Sequence, residues 1–248
     1  MSKIYEALSK AKRGPEEERP GRGEDMPLKA GTRTRLSEQL RDVWTQYETL
    51  HSSLGKALGG VRGKAVVFAS SVEGEGTSTV LAEYGASLGS TKERRTLLVD
   101  ANFRAPRLHE VFGVPGEAGL ADVLAGTKDL EEVAVRLGDD HLYLLPAGTT
   151  TTSPGALVTV TRFSRFLEKA KERFALVLVD APPIIPYAET AIITAASDGV
   201  ALVIESERTK REIVIRAKTV LEEAHCRILG VVLNRRRYVI PEFLYRYL

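Results

Sequence analysis

A glycine-rich turn and two aspartates closing apolar runs carry the chemistry of this chain. The turn is Ser70-Ser-Val-Glu-Gly-Glu-Gly-Thr-Ser-Thr79, directly after the apolar run Ala65–Ala69. Gly74 and Gly76 let backbone amides approach an anion, and the dipole of a following helix favours negative charge there. A loop built to hold a triphosphate ends Gly-Lys-Ser/Thr: the lysine reaches the β- and γ-phosphates and the hydroxyl binds Mg²⁺. Gly76, Ser78 and Thr79 match that ending, with Glu75 between the two glycines. Thr77 stands where the ammonium belongs. The frame suits a nucleotide and the decisive charge is missing.

The first aspartate lies in Leu97-Leu-Val-Asp100-Ala-Asn-Phe-Arg104-Ala-Pro106. A carboxylate at a buried strand end, with an arginine four residues on, can orient a metal-bound water or a hydroxyl nucleophile. The second lies in Val177-Leu-Val-Asp180-Ala-Pro-Pro183. An apolar strand ending in aspartate is the Walker B arrangement, which holds Mg²⁺ through the carboxylate. Taken singly, each motif has an ordinary alternative: a tight turn, or an aspartate capping a helix beside a solvated arginine. Three in succession at strand ends point to a nucleotide site.

The elements that position these residues are legible in the hydrophobic pattern. Apolar runs rich in valine and leucine are expected to be strands at Ala65–Ala69, Thr96–Val99, Leu142–Leu145, Ala175–Val179, Val200–Ile204 and Ile228–Leu233. Without polar alternation they read as buried on both faces. A helix is expected over Lys210–Ala224, with Thr209 and Glu212 forming a capping box. A broad apolar stripe of Leu36, Leu40, Val43, Trp44, Tyr47, Leu50 and Leu54 marks another, ended by Gly59-Gly60. Right-handed crossovers then give an α/β fold with a doubly wound, mostly parallel sheet, whose ligands lie at the carboxyl ends of the strands. Residues 1–35 are set apart. Ile4, Ala7, Leu8 and Ala11 make a short amphipathic helix among lysines, suited to docking on a partner, a lipid surface or the protein's own core. Residues 14–35 form a polar, Gly/Pro-containing linker. Residues 36–248 form the main domain.

Bulk properties narrow the function. The 248 residues suffice for one α/β domain with tails. A formal net charge of +2 provides no general attraction to nucleic acid or membrane. Cys226 is the only cysteine, so there is no internal disulfide. No apolar run is long enough for a transmembrane helix, and the N-terminus lacks the apolar core of a signal peptide.

These motifs together resemble the bacterial tyrosine kinases (BY-kinases), the cytosolic kinase half of polysaccharide co-polymerases. The resemblance runs from about Thr45 to the C-terminus. It includes Leu108-His-Glu-Val-Phe112, Gly119-Leu-Ala-Asp-Val-Leu124, Leu145-Pro-Ala-Gly148 and Gly230-Val-Val-Leu-Asn-Arg235, and the start Met1-Ser-Lys-Ile-Tyr-Glu-Ala-Leu8 is similar to cytosolic members. The resemblance implies a P-loop ATPase fold with ATP and Mg²⁺. Gly74, Glu75, Gly76, Thr77, Ser78 and Thr79 would form the phosphate loop, with Ser78 and Asp180 at the metal. Asp100 would be the base, Arg104 would accompany it, and Asn234 and Arg235 would contact the adenine. Family members end in tyrosines phosphorylated by a neighbouring protomer; Tyr238, Tyr245 and Tyr247 are the candidates here, although a packed C-terminal segment is an alternative reading.

The departures point one way. Thr77 replaces the loop lysine, and Asn102 replaces a second aspartate. Thr45, Glu48 and His51 occupy the Glu-x2-Arg-x2-Arg positions that join the family's protomers into a ring. The resulting expectation is a catalytically impaired member, a monomer or small assembly binding ATP weakly or not at all. It would be cytoplasmic, recruited to the inner face of the membrane as regulatory partner of a polysaccharide co-polymerase. The alternative is an active tyrosine autokinase that draws its missing cation from Lys64, Arg104 or Arg235. A partitioning-type ATPase of the same superfold is a further alternative.

Overall fold

The computed structural model describes residues 45–91, 95–138, 141–150 and 152–235. The amphipathic N-terminal segment, the linker, the start of the 36–54 stripe and the three tail tyrosines lie outside the described residues.

In chain order the elements are a helix α1 over residues 45–58, then β1 (Lys64–Ser70), α2 (Thr77–Thr91), β2 (Thr96–Asp100), α3 (Leu108–Phe112), α4 (Leu120–Ala125), α5 (Leu130–Val133), β3 (Val135–Arg136), β4 (Leu142–Leu145), α6 (Pro154–Leu157), α7 (Val160–Arg173), β5 (Leu176–Asp180), α8 (Glu189–Ala195), β6 (Gly199–Glu205), α9 (Arg211–Glu223) and β7 (Ile228–Asn234). The sheet order is β3-β4-β2-β5-β1-β6-β7, parallel except for the β3–β4 pair. The six expected strands are present within a residue or so at their ends. β3 was not anticipated, because two residues carry no periodicity.

Each face of the sheet buries its own core. Val67, Val99 and Val179 point toward one side with Phe163, Phe166 and Leu167 of α7. Val66, Phe68, Leu98 and Leu178 point to the other, under Leu54 and Leu58 of α1 and Leu81 and Tyr84 of α2. The alternation is that of any strand, but here both sets are apolar because both faces are covered.

Two expectations need correction. The strand at 228–233 is not buried on both faces: it is the sheet edge, and Val231 and Leu233 are exposed. A run of apolar residues reports β structure but not which strand ends the sheet. The capping box of α9 does not form either. The helix starts at Arg211 with no side-chain cap, because the Thr209 hydroxyl donates to Glu75 instead. No described helix is long and apolar enough to cross a membrane.

Candidate nucleotide site

The three motifs meet at the carboxyl edge of β2, β5 and β1, which are neighbours in the sheet. Backbone bonds carry the pairing past the strand ends: Ala101 donates to the Asp180 carbonyl, Ala181 to Phe68, and Ile184 to Ser70. The loops leave the sheet in fixed register and enclose a cavity of about 420 Å³ lined by Gly74–Thr79, Asn102, Arg104, Arg107, Pro183, Tyr187 and Arg235. That is within the ordinary size of a small-ligand site.

The phosphate loop keeps its backbone form. Gly74 and Gly76 have φ of 86° and 89°, which residues with a Cβ adopt only under strain. A Cβ on Gly76 would also fall 2.2 Å from the Asn234 amide nitrogen. That amide donates to the Glu75 carbonyl at 2.8 Å, and the Arg235 guanidinium donates to the Gly74 carbonyl at 3.0 Å. The end of β7 thus straps the loop from outside. From inside, the buried Glu75 carboxylate accepts from the Val72 amide at 2.9 Å and from Thr209. The Glu75 carboxylate is engaged in bracing the loop.

α2 opens at Thr77, so its first amides face the cavity with no helical partner. Thr77 is buried, and among the described residues its hydroxyl has no partner; neither does that of Ser71. Ser78 donates to Asp180 Oδ2 at 2.5 Å, while Asp180 Oδ1 is buried and has no partner among the described residues. Orphaned acceptors and hydroxyls beside helix amides fit a phosphate with its divalent cation: the carboxylate and the Ser78 oxygen are hard donors for Mg²⁺.

The carboxylates themselves are unequal. Asp100 and Asp180 are register partners on β2 and β5, both fully buried. Asp100 accepts from the amides of Asn102 (3.2 Å), Arg107 (2.9 Å) and Leu108 (3.0 Å). Burial raises its carboxyl above the ordinary value despite those bonds. Burial raises Asp180 further, repulsion from Asp100 adds to it, and the Ser78 hydroxyl only partly compensates. Asp100 holds the loop between β2 and α3, whereas Asp180 is the carboxylate with capacity to spare.

Both arginines expected near the site line the cavity, each already engaged. Arg104 donates from Nε to Glu189 at 2.7 Å and stacks 4.2 Å over the Tyr187 ring. The Tyr187 hydroxyl donates to Glu73 at 2.5 Å. This bond raises the Tyr187 phenol above its ordinary value. The loops after β1, β2 and β5 are joined by that chain of contacts. Arg235 pairs with Glu205 at 3.1 Å. Lys64 lies at the opposite edge of the sheet, at the start of β1, and pairs with Asp198 at 3.3 Å. The third expected cation is therefore excluded by strand direction. Glu73, Arg107, Tyr187 and Glu189 were missed in the sequence. Glu73 sits inside the loop motif, and Tyr187 and Glu189 follow the Pro182-Pro183 turn, but no spacing rule marks them.

The positions of the ring motif lie on α1. Thr45 and Glu48 are exposed, while the half-buried His51 shares a 2.8 Å hydrogen bond between Nδ1 and the Tyr84 hydroxyl. Gly119 and Gly148, from two of the family segments, turn out to be packing positions. A Cβ on Gly119 would fall 2.1 Å from the Pro146 carbonyl oxygen, which accepts from Leu120 at 2.8 Å.

Comparison with known proteins accords with this geometry. The family of the cellulose biosynthesis protein BcsQ matches residues 57–229. The tyrosine-protein kinase CpsD of Streptococcus agalactiae is 33% identical over 177 residues, 71% of this chain and 77% of that one. The kinase domain of the Escherichia coli tyrosine kinase ETK superposes with a TM-score of 0.72 at 23% identity, covering 80% of this chain and 79% of that one. The septum site-determining protein MinD of Pyrococcus horikoshii, complexed with Mg-ADP, superposes with a TM-score of 0.60 at 24% identity over 74% of this chain and 76% of that one. The fold is that of the P-loop ATPases, and the chain belongs to the bacterial tyrosine kinase family.

Proposed function

We propose that this chain is a nucleotide-sensing, catalytically impaired BY-kinase, a regulatory partner of a membrane polysaccharide co-polymerase in exopolysaccharide or capsule synthesis and export. The observation that carries the reading is Thr77: a buried hydroxyl, without a partner among the described residues, at the first position of α2, where a phosphate-gripping ammonium belongs. ATP with Mg²⁺ would bring a terminal phosphoryl group and a cation to the cradle. Helix amides at Thr77–Thr79 would receive the phosphates, and Ser78 and Asp180 would hold the metal. Losing one charge-assisted contact weakens binding by about 1.5–3 kcal/mol. Losing charge stabilisation in the transition state slows transfer by roughly 10²–10³. Nucleotide binding therefore outlasts turnover. The engagement of Asp100 by three amides, and of Arg104 by Glu189, supports the same conclusion.

The family likeness to a kinase named CpsD and to the cellulose biosynthesis protein BcsQ supports the polysaccharide setting. In this reading the chain is cytoplasmic, held at the inner face of the membrane through its partner, and monomeric or a small assembly. Titration of the protein with ATP, with and without Mg²⁺, should give weak binding that the metal strengthens. Incubation with Mg-ATP should give no phosphotyrosine.

One observation favours a second reading, an active autokinase. Arg104 and Arg235 both line the cradle, and release of either from its acid would supply a cation. Tyr238, Tyr245 and Tyr247 would then be the acceptors. Robust autophosphorylation, abolished by Arg104→Ala or Arg235→Ala, would establish it against the first.

A further inference from the structure

The opposite edge of the sheet holds a second concave site. Three segments enter the central strands there: Arg62-Gly63 before β1, Arg95 before β2, and Phe174-Ala175 before β5. Backbone bonds lock them together, Ala175 donating to the Arg95 carbonyl at 2.9 Å and Gly63 to the Ala175 carbonyl at 2.6 Å. Above this floor is a cavity of about 610 Å³ whose charged lining is Arg62, Arg95, Lys171, Arg173 and one acid, Glu172.

The two cations from α7 have ordinary explanations. Lys171 and Arg173 sit in its last turn, where positive charge complements the helix dipole. Lys171 also shares Asp198 with Lys64, and Arg173 meets Glu131 at 2.5 Å. Arg62 and Arg95 precede strands and have no such reason, and neither pairs with an acid among the described residues. Arg95 is nonetheless held still: its guanidinium lies 4.9 Å from the Tyr143 ring centroid and 5.7 Å from that of Phe174, and it donates to the Tyr143 hydroxyl at 2.7 Å. A guanidinium fixed by aromatic faces loses little freedom on binding an oxyanion.

From this arrangement we infer that the amino edge of the sheet is a second anion site, taking a phosphate-bearing ligand through Arg62 and Arg95 with Lys171 and Arg173 in support. Cations on separate loops need a ligand with more than two acceptor oxygens and more than one negative charge. A phosphate or diphosphate group meets that requirement, and a single carboxylate does not. The group could arrive on a soluble diphosphate or as the headgroup of an anionic membrane surface.

The test uses the full chain with the cradle saturated by ATP. Calorimetric titration with inorganic pyrophosphate reads the soluble source. Co-sedimentation with phosphatidylglycerol/phosphatidylcholine vesicles, against phosphatidylcholine alone, reads the membrane source. Binding in either arm should weaken at least about tenfold in Arg62→Gln/Arg95→Gln, with ATP affinity unchanged. Arg62→Glu gives a second variant on an exposed residue, and it should weaken binding as well. Arg95→Lys keeps the charge but loses the fork, and its binding should fall between wild type and the double variant. Absence of binding in both arms, binding undiminished by these substitutions, or pyrophosphate binding that appears only when ATP is withheld would overturn the proposal.

Discussion

The two edges of one mostly parallel sheet offer an anion different things. At the carboxyl edge the chain passes from strand to helix, so helix N-termini and loop amides point at the cavity. Backbone supplies the positive potential there, and buried carboxylates can coexist with it. At the amino edge the chain passes from helix to strand, so helix C-termini point at the cavity. Any attraction for an anion must come from side chains, and there Arg62, Arg95, Lys171 and Arg173 gather. With the lysine lost, the first edge still keeps its backbone contribution, whereas the anion site proposed at the second edge would depend wholly on its cations.

The sharpest way to break the comparison is to spoil the backbone at the carboxyl edge. Gly76→Ala imposes a left-handed conformation and a clash with Asn234, costing about 1–3 kcal/mol. Calorimetry should show ATP binding lost, and melting should fall by about 2–4 °C per kcal/mol. Thr77→Lys sharpens it from the other side. ATP should bind roughly ten- to hundredfold more tightly, yet phosphotyrosine should barely rise, because Asn102 and the altered Thr45, Glu48 and His51 positions remain.

Asp180→Asn addresses the carboxylate. Its raised folded pKa means that the native state keeps a proton the unfolded state releases, so its contribution to stability falls as pH rises above the ordinary carboxyl value of 3.8. The variant should melt higher than wild type near pH 7, lose that advantage toward pH 4, and lose the Mg²⁺-dependent part of ATP affinity. Asp198 at the amino edge has the opposite sign. Burial opposes its charge, but the Ala65 amide and then Lys171 and Lys64 outweigh that and hold it below the ordinary value. Its contribution is present at neutral pH and disappears on acidification through the folded pKa. Tyr187→Phe should have the smallest effect: loss of the solvent-exposed bond to Glu73 should lower the melting temperature only slightly, with ATP affinity little changed.

Much of the carboxyl edge was legible from sequence, because each strand-end motif is local. Gly74, Gly76, Ser78, Asp100 and Asp180 announce themselves by lying next to apolar runs, and parallel topology then brings the runs side by side. Tyr187 and Glu189 were not legible, since their contact with Glu73 and Arg104 spans distant loops. The pairing of Thr209 with Glu75 was hidden for the same reason: a capping box is a local rule, and a buried carboxylate elsewhere competed for the hydroxyl.

The sequence alone determined six of the seven described strands, that the sheet would be mostly parallel, and that the phosphate loop would lack its cation. Those properties follow from residue type at short spacing. Only the tertiary structure decided that Lys64 faces away from the cradle, that Asp100 is spent on backbone amides while Asp180 is not, and that four cations converge at the amino edge. Strand order and direction set those outcomes, because they fix which distant residues share an edge, and no local pattern encodes that.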